Sequence, residues 1–182
     1  MFETLQHLLD AGGPDSRAVV WAHNSHIGDA RHTEMGQLRD ELNIGQLCRE
    51  HYGEQAALIG FGTNTGTVAA AGNWDDPMEV MQVKGSLSGS VERLFHDAGV
   101  SRCLSDLRPG QHPELRERLE ETQLERFIGV IYRPDTERWS HYTDVELSRQ
   151  FDAYVWFDRT RAITPLTREH GHGMPDTWPF GL

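Results

Sequence analysis

Two histidines three positions apart are the residues of this sequence best suited to chemistry. His23 and His26 follow the apolar run "AVVWA" (18–22) and enter a loop of small and charged residues. An imidazole titrates near neutral pH, so either side chain can take a proton from water or return one to a leaving alcohol. The alternative is a pair of loop histidines hydrogen-bonded to the backbone, and spacing alone leaves both interpretations open.

The same loop carries charged side chains that can support the histidines. Asp29 and Glu34 offer carboxylates able to orient an imidazole or bind a substrate hydroxyl, and Arg31 lies between them. Two histidines plus a carboxylate would also suit zinc, but the zincin pattern HExxH requires a glutamate where Asn24 stands here. We therefore expect no cofactor and keep a divalent metal at the histidine pair as the minority alternative.

Two further segments place polar residues after predicted strands. "GFGTNTG" (60–66) lacks the long following helix of a dinucleotide site and the lysine of a P-loop. Its Gly62 and Thr63 are therefore expected at a strand end where the backbone closely approaches a ligand or a neighbouring loop. "RPDTERWSHYT" (133–143) sets His141 between two aromatic residues, which fits either the wall of an apolar pocket or a surface loop.

The composition narrows the range of partners. The chain has 182 residues with 17 Lys and Arg against 28 Asp and Glu, a net charge of -11, which argues against nucleic acid or an anionic membrane. No apolar run approaches the roughly 18 to 20 residues of a transmembrane helix, and the start "MFETLQHLLDAGG" does not resemble a signal peptide, so the expected location is cytoplasmic. Cys48 and Cys103 stand alone, which predicts small buried side chains rather than a zinc cluster or a disulfide.

Apolar runs that alternate with helical patterns predict an α/β fold. The strand candidates are 18–22, 56–62, 126–132 and 153–157, with 101–107 as a weaker fifth and 67–71 and 79–83 as edge candidates. The helix candidates are 36–53 with Gly53 as a stop, a segment from the cap Ser90 to Gly99, and a segment that begins at Pro113. We expect one domain, a mostly parallel β-sheet flanked by helices.

Taken together, these segments resemble the erythromycin esterase family. The matching stretches are "WAHNSHIGDARHTEMG", "LNIGQLCREHYGEQAALIGFGTNTGTVAAAGNWDD", "RFIGVIYRPDTERWSHY" and "QFDAYVWFDRTRAITPL", in the order that the family has them. They predict an erythromycin-esterase-like domain over 19–166, preceded by a helical lead-in over 1–18 and followed by a loose tail over 167–182.

The resemblance implies hydrolysis of a small-molecule ester, or of the macrolactone of a macrolide antibiotic, by water activated through histidine and glutamate side chains. The family's paired histidines, HNxH, fall on His23 and His26; the resemblance marks His23 as the catalytic position, with His26 beside it as the second catalytic candidate. The candidates for substrate binding are Asp29, Arg31, Glu34, Gly62, Thr63 and His141.

One departure from the family bears on activity. Members carry, in a first half that precedes these segments, a glycine-glutamate and a threonine-histidine-glycine motif that supplies the proposed general base. No such motif precedes Val19, so we expect an incomplete C-terminal half of a larger fold. The alternative to an active hydrolase is therefore a non-catalytic remnant or binding module that needs a separately encoded N-terminal partner. An exposed sheet edge would favour that partner or self-association.

Overall fold

The computed structural model describes residues 1–164 of the chain. In chain order the elements are α1 (Phe2–Gly12), α2 (Asn24–Ile27), α3 (Glu34–Arg39), α4 (Ile44–Tyr52), β1 (Ile59–Ala70), β2 (Glu79–Val83), α5 (Val91–Asp97), β3 (Arg102–Asp106), α6 (Pro113–Glu120), β4 (Gln123–Arg126), α7 (Glu137–Ser140), β5 (Tyr142–Val145), α8 (Leu147–Gln150) and β6 (Ala153–Thr160). The predicted tail, 167–182, lies outside the described residues.

A four-stranded sheet with strand order β2-β1-β6-β3 forms the centre of the fold, and β4 and β5 form a separate antiparallel ribbon. The predicted α/β class, a central sheet flanked by helices, is confirmed. The expectation of mostly parallel pairing is wrong, because only β1 and β6 are parallel, whereas β2 and β3 pair antiparallel to their neighbours. The connection from β1 to β2, residues 71–78, is shorter than the crossover of about a dozen residues or more that a parallel pair requires.

Most strand predictions are confirmed. β1, β3 and β6 contain most of the predicted runs 56–62, 101–107 and 153–157, and β2 matches 79–83. β1 is longer than expected, since it continues through the glycine-rich segment and includes most of 67–71.

Two strand predictions are wrong. The run 18–22 forms no strand, and Val19 and Trp21 are exposed. It has no strand neighbour among the described residues and only touches the sheet through Trp21, whose ring centroid lies 5.7 Å from that of Phe61. In the run 126–132 only Arg126 belongs to a strand, the end of β4. Beyond it the backbone is no longer paired in a ladder, although one isolated bridge joins this stretch to the end of β1.

The helix predictions hold with one interruption. The segment 36–53 divides into α3 and α4, because Asp40 adopts a left-handed conformation (φ 53°) and Asn43 caps a new helix through its side chain. Gly53 ends α4 as predicted, with φ 57°. Ser90 caps α5 by accepting a hydrogen bond from the backbone N–H of Arg93 at 3.1 Å.

The hydrophobic core lies on one face of the sheet. Tyr154 and Trp156 of β6 point to this face and stack on Phe95 of α5, with ring centroids 5.6 and 5.4 Å away. The rest of the core comes from Leu58, Val91, Leu107, Leu119, Val145, Leu147 and Phe151. The helices α5 and α8 contribute buried residues to this face.

Within residues 1–164, the opposite face of the sheet carries a partly exposed apolar surface, on which the ring of Trp21 contacts Phe61. Ile59, Phe61, Leu104 and Phe157 lie there and are 40 to 68% exposed. The pairing register places these residues on three adjacent strands. Sheets of α/β proteins normally bury both faces, so this is an unusual apolar surface.

Three smaller observations complete the fold. The lead-in helix α1 buries none of its residues. Cys48 and Cys103 are free thiols and are half-buried rather than fully buried. Within the described part of the chain, no helix has both the length and the apolar character needed to cross a bilayer.

Candidate active site

His23 is the N-cap of the short helix α2, and both of its ring nitrogens are engaged. Nδ1 accepts from the backbone N–H of Ser25 at 3.3 Å and lies 2.9 Å from the Ser25 hydroxyl. Nε2 lies 3.0 Å from the carbonyl oxygen of Ile128, which can only accept, so Nε2 carries the proton. Burial lowers the pKa of His23 below 6.5, against the opposing effect of the Ile128 carbonyl, and the nearby charge of His26 lowers it further. The imidazole is therefore neutral at pH 7.

His26 is the accessible member of the pair. Its side chain is exposed, and no residue in the described range hydrogen-bonds to its ring. The ring centroid lies 6.4 Å from that of His23. His26 lines a shallow cleft of about 250 Å³, whose wall combines polar side chains such as Asn43 with apolar ones such as Met35.

Asn24 lies between the two histidines and binds their segment, residues 23–26 (the histidine turn), to the sheet. Its amide donates to the carbonyl of Phe61 at 2.8 Å and accepts from the N–H of Phe61 at 3.1 Å. β2 pairs with β1 only from Gly66 onward, so at Phe61 this side of β1 has no neighbouring strand. The Asn24 amide takes the place of a strand residue there, and its N–H group also donates to the Glu125 carboxyl at 3.0 Å.

A group of buried polar side chains lies behind the turn. Glu125 and Glu92 are 0 and 1% exposed, and each has one oxygen without a hydrogen-bond partner in the described structure. Burial raises the pKa of Glu125 well above 4.5, and the neighbouring Glu92 raises it further. Burial also raises the pKa of Glu92, against a hydrogen bond from the N–H of Arg126. Burial thus disfavours the charged form of both carboxyls, which lie near the buried hydroxyl of Tyr154.

Arg126 joins the glycine-rich strand to β4. Its guanidinium donates to the carbonyls of Thr63 and Asn64 at 2.6 and 2.8 Å, and to that of Lys84 at 2.8 Å. It also forms an ion pair of 3.1 Å with Glu137, and both side chains are at most 4% exposed. Sequence reasoning missed this residue, although an arginine at the start of an apolar run was a usable signal of a buried charge pair.

The predicted loop carboxylates do not converge on His26. Asp29 is buried and forms a two-pronged pair with Arg31, at 2.9 and 2.7 Å. Glu34 accepts from the hydroxyl of Thr143 at 3.0 Å and lines a separate cleft of about 140 Å³. Their roles in substrate binding stay predictions, and the structure gives each of them another partner.

Gly62, Thr63 and His141 also have structural partners. A Cβ on Gly62 would lie 2.2 Å from the Tyr154 hydroxyl oxygen, so the close approach involves a core side chain. The Thr63 hydroxyl lies 3.2 Å from that of Thr160. His141 is buried, and its ring bonds to the backbone at both nitrogens, accepting from an N–H at 2.8 Å and donating to a carbonyl at 3.0 Å. Burial lowers its pKa. Contact of these residues with a substrate stays a prediction.

A metal ion finds few ligands here. Within residues 1–164, no group of three or more His, Cys, Asp or Glu side chains is placed to hold one. The nearby carboxylates of Asp29 and Glu34 are committed to Arg31 and Thr143. The arrangement instead presents a neutral, anchored imidazole beside an exposed one, which suits proton transfer to and from water.

Three solved structures share the fold. A Bacillus cereus protein from a structural genomics programme aligns with a TM-score of 0.64 at 22% identity, over 78% of this chain and 33% of that one. A protein described as a succinoglycan biosynthesis protein aligns with a TM-score of 0.66 at 19% identity, over 86% of this chain and 38% of that one. A histidine-to-asparagine mutant of the erythromycin esterase EreC, in its open conformation, aligns with a TM-score of 0.56 at 17% identity, over 87% of this chain and 35% of that one.

The chain therefore spans about a third of the length of these structures, 33 to 38%. The sequence model described as erythromycin esterase matches residues 1–160, which include the histidine turn, the glycine-rich strand and the predicted lead-in. With the paired histidines, the sheet and this match in agreement, the chain belongs to the erythromycin esterase family.

Proposed function

We propose that this protein hydrolyses an ester or lactone bond by attack of water, with His26 as the proton acceptor and donor. Family and fold support a hydrolase-type function. The observation that carries the finer proposal is the accessible ring of His26, which lines a cleft beside a neutral His23 fixed at both nitrogens.

In the proposed reaction His26 accepts one proton and later returns it, so its protonation state is the same before and after turnover. The imidazole takes a proton from water as the water oxygen bonds to the acyl carbon. The bond to the alcohol oxygen then breaks, and the imidazolium returns that proton to the departing alkoxide. His23 keeps the turn in place through the Ile128 carbonyl and Ser25. General acid and base catalysis of this kind typically contributes about 10² to 10⁴ in rate.

The cleft supports an acyl group with substantial apolar surface. Met35 and Leu42 form part of its wall, next to the polar Ser25 and Asn43. A macrolactone presents such a surface together with hydroxyl groups, so we include macrolides in the proposed substrate class. Macrolide resistance is the cellular consequence that this proposal predicts.

Assays of the purified chain on an activated aryl ester, a simple lactone and a macrolactone test the proposal. We expect turnover of at least one substrate by the wild type and a loss of about 10²-fold in His26→Gln. His7→Gln is the matched control, because His7 is an exposed histidine of α1. Equal rates in the two variants, or no turnover of any substrate, would show the proposal to be wrong.

The partly exposed apolar face of the sheet favours a second candidate function. We propose that Ile59, Phe61, Leu104 and Phe157 dock a polypeptide that supplies the remaining part of the family fold. Two observations support this: these side chains form one exposed apolar surface, and nearly two thirds of each matched structure has no counterpart in this chain.

Co-expression with a neighbouring gene product that carries the glycine-glutamate and threonine-histidine-glycine motifs tests this second candidate. We expect a one-to-one complex by light scattering that Leu104→Lys abolishes, whereas Leu8→Lys on the exposed side of α1 leaves it intact. A homodimer instead, or a complex insensitive to Leu104→Lys, would contradict it.

A further inference from the structure

We propose that Glu125 is a positioning residue for the histidine turn. Its buried carboxyl holds the amide of Asn24, and Asn24 in turn fixes His23 and His26 against the open side of β1. The structural part of this inference stands alone, and its kinetic part rests on the proposed ester hydrolysis.

The contacts of Asn24 leave its amide no freedom. Its N–H group donates to two acceptors, the carbonyl of Phe61 at 2.8 Å and the carboxyl of Glu125 at 3.0 Å. Its oxygen accepts from the N–H of Phe61 at 3.1 Å. Without the Glu125 acceptor, one amide hydrogen of a residue that is 8% exposed would be left unpaired. The loss of that bond therefore favours a different position of the turn.

The segment 125–128 contacts the histidine turn at two points. Glu125 contacts Asn24 through its side chain, and Ile128, three residues later, accepts from His23 Nε2 at 3.0 Å. The ring of Phe127, between them, lies 5.9 Å from that of His23. The end of β4 and the residues after it thus set the position of both the imidazole and the amide beside it.

Burial of a glutamate at this position costs folding free energy unless hydrogen bonds to its carboxyl group offset that cost. Glu125 is 0% exposed, and its second oxygen has no partner in the described structure. An apolar side chain of similar volume is often neutral or stabilising at a buried charged position. An apolar side chain cannot reproduce the hydrogen bond to Asn24, nor the proximity of the carboxyl to the buried amide of Gln150.

Glu92 provides a matched control. It is as deeply buried as Glu125 and also has one unpartnered oxygen, but it accepts from the backbone N–H of Arg126 and has no hydrogen bond to Asn24 in the described structure. Glu125→Gln keeps the acceptor oxygen, and Glu125→Leu removes it at similar volume. Glu92→Gln and Glu92→Leu make the same changes at a neighbouring carboxyl that has no hydrogen bond to Asn24.

Hydrogen exchange at the Phe61 amide reads the contact directly, because that N–H donates to Asn24. The amide of Leu107, bonded to Asp152 at 2.8 Å, serves as an internal reference for global opening. Relative to this reference, we expect exchange at Phe61 to be about tenfold faster in Glu125→Leu than in Glu125→Gln. The Glu92 pair should show no such difference.

In an ester assay, Glu125→Leu should lower kcat about 10- to 100-fold with little change in KM, and Glu125→Gln should restore it. Equal Phe61 exchange in the two Glu125 variants, or the same increase in Glu92→Leu, overturns the proposal. If the wild type hydrolyses no ester, the proposed function fails while exchange still decides this inference. If Glu125→Leu does not fold, Asn24→Asp removes the donor to Glu125 but keeps an oxygen that can accept from the N–H of Phe61, and unchanged protection of Phe61 in that variant would equally overturn the proposal.

Discussion

Replacement of Arg126 by methionine is the sharpest test of what holds the site in place. The Arg126 side chain is 2% exposed. Its guanidinium pairs with Glu137 and donates to the carbonyls of Thr63, Asn64 and Lys84. Methionine fills part of the volume but leaves the Glu137 carboxylate buried with only the Tyr132 hydroxyl, at 2.8 Å. Removal of one partner of a buried ion pair costs about 3 to 5 kcal/mol.

That loss is a large share of the roughly 5 to 15 kcal/mol by which a domain is stable. At a typical slope of about 2 kcal/mol per molar urea, the midpoint of unfolding should fall by about 2 M. Urea titration followed by tryptophan fluorescence measures the shift. Arg108→Met is the control, because Arg108 forms a two-pronged pair with Asp106 at the surface, and its removal should leave the midpoint nearly unchanged.

A double variant distinguishes the free-energy cost of the unpaired Glu137 charge from the cost of lost packing at Arg126. Glu137→Gln added to Arg126→Met removes the buried carboxylate while its amide oxygen still accepts from Tyr132, so we expect it to recover about 1 to 2 kcal/mol of the loss. A cost below about 1 kcal/mol for Arg126→Met, or a double variant less stable than the single one, would refute the reasoning.

Three further predictions concern burial, packing and capping. Burial raises the pKa of Glu125, so its contribution to stability is complete below the ordinary value of 4.5 and declines as pH rises above that value. Between about pH 5 and 8 the urea midpoint of Glu125→Gln should therefore fall less than that of the wild type. Parallel curves for the two proteins would contradict this. Gly62→Ala places a Cβ 2.2 Å from the Tyr154 oxygen and should cost about 1 to 3 kcal/mol in thermal unfolding, a loss that Tyr154→Phe reduces; an equal loss in both backgrounds would argue against the clash. Ser90→Ala removes the cap of α5 and should cost about 1 kcal/mol by urea titration, and an unchanged midpoint would be inconsistent with the cap.

The strands that sequence predicts well are those whose apolar side chains meet a buried surface. The run 153–157 is central in the sheet, and its Tyr154 and Trp156 are fully buried. The run 18–22 is similarly apolar, yet its Val19 and Trp21 are exposed, because strand formation needs a partner that the described residues do not provide. The composition of a run indicates its preference for a β-strand, but it does not show whether a neighbouring strand is available to pair with it.

The candidate site was predictable in its motif and not in its supports. The pair His23 and His26 follows from residue type, spacing and family resemblance, and only the structure distinguishes the anchored ring from the exposed one. Glu125 is remote in sequence from the turn, and its bond to Asn24 spans 101 positions, so periodicity and spacing carry no signal of it. Contacts of that separation depend on the sheet register, which a single sequence does not specify.

The measurement that tests the account most directly is kcat/KM for one ester with wild type and His26→Gln, each verified as folded by circular dichroism. The account predicts a ratio of about 10² or more, with His7→Gln equal to the wild type. A ratio near one would contradict the claim that the exposed imidazole of the histidine turn carries the reaction.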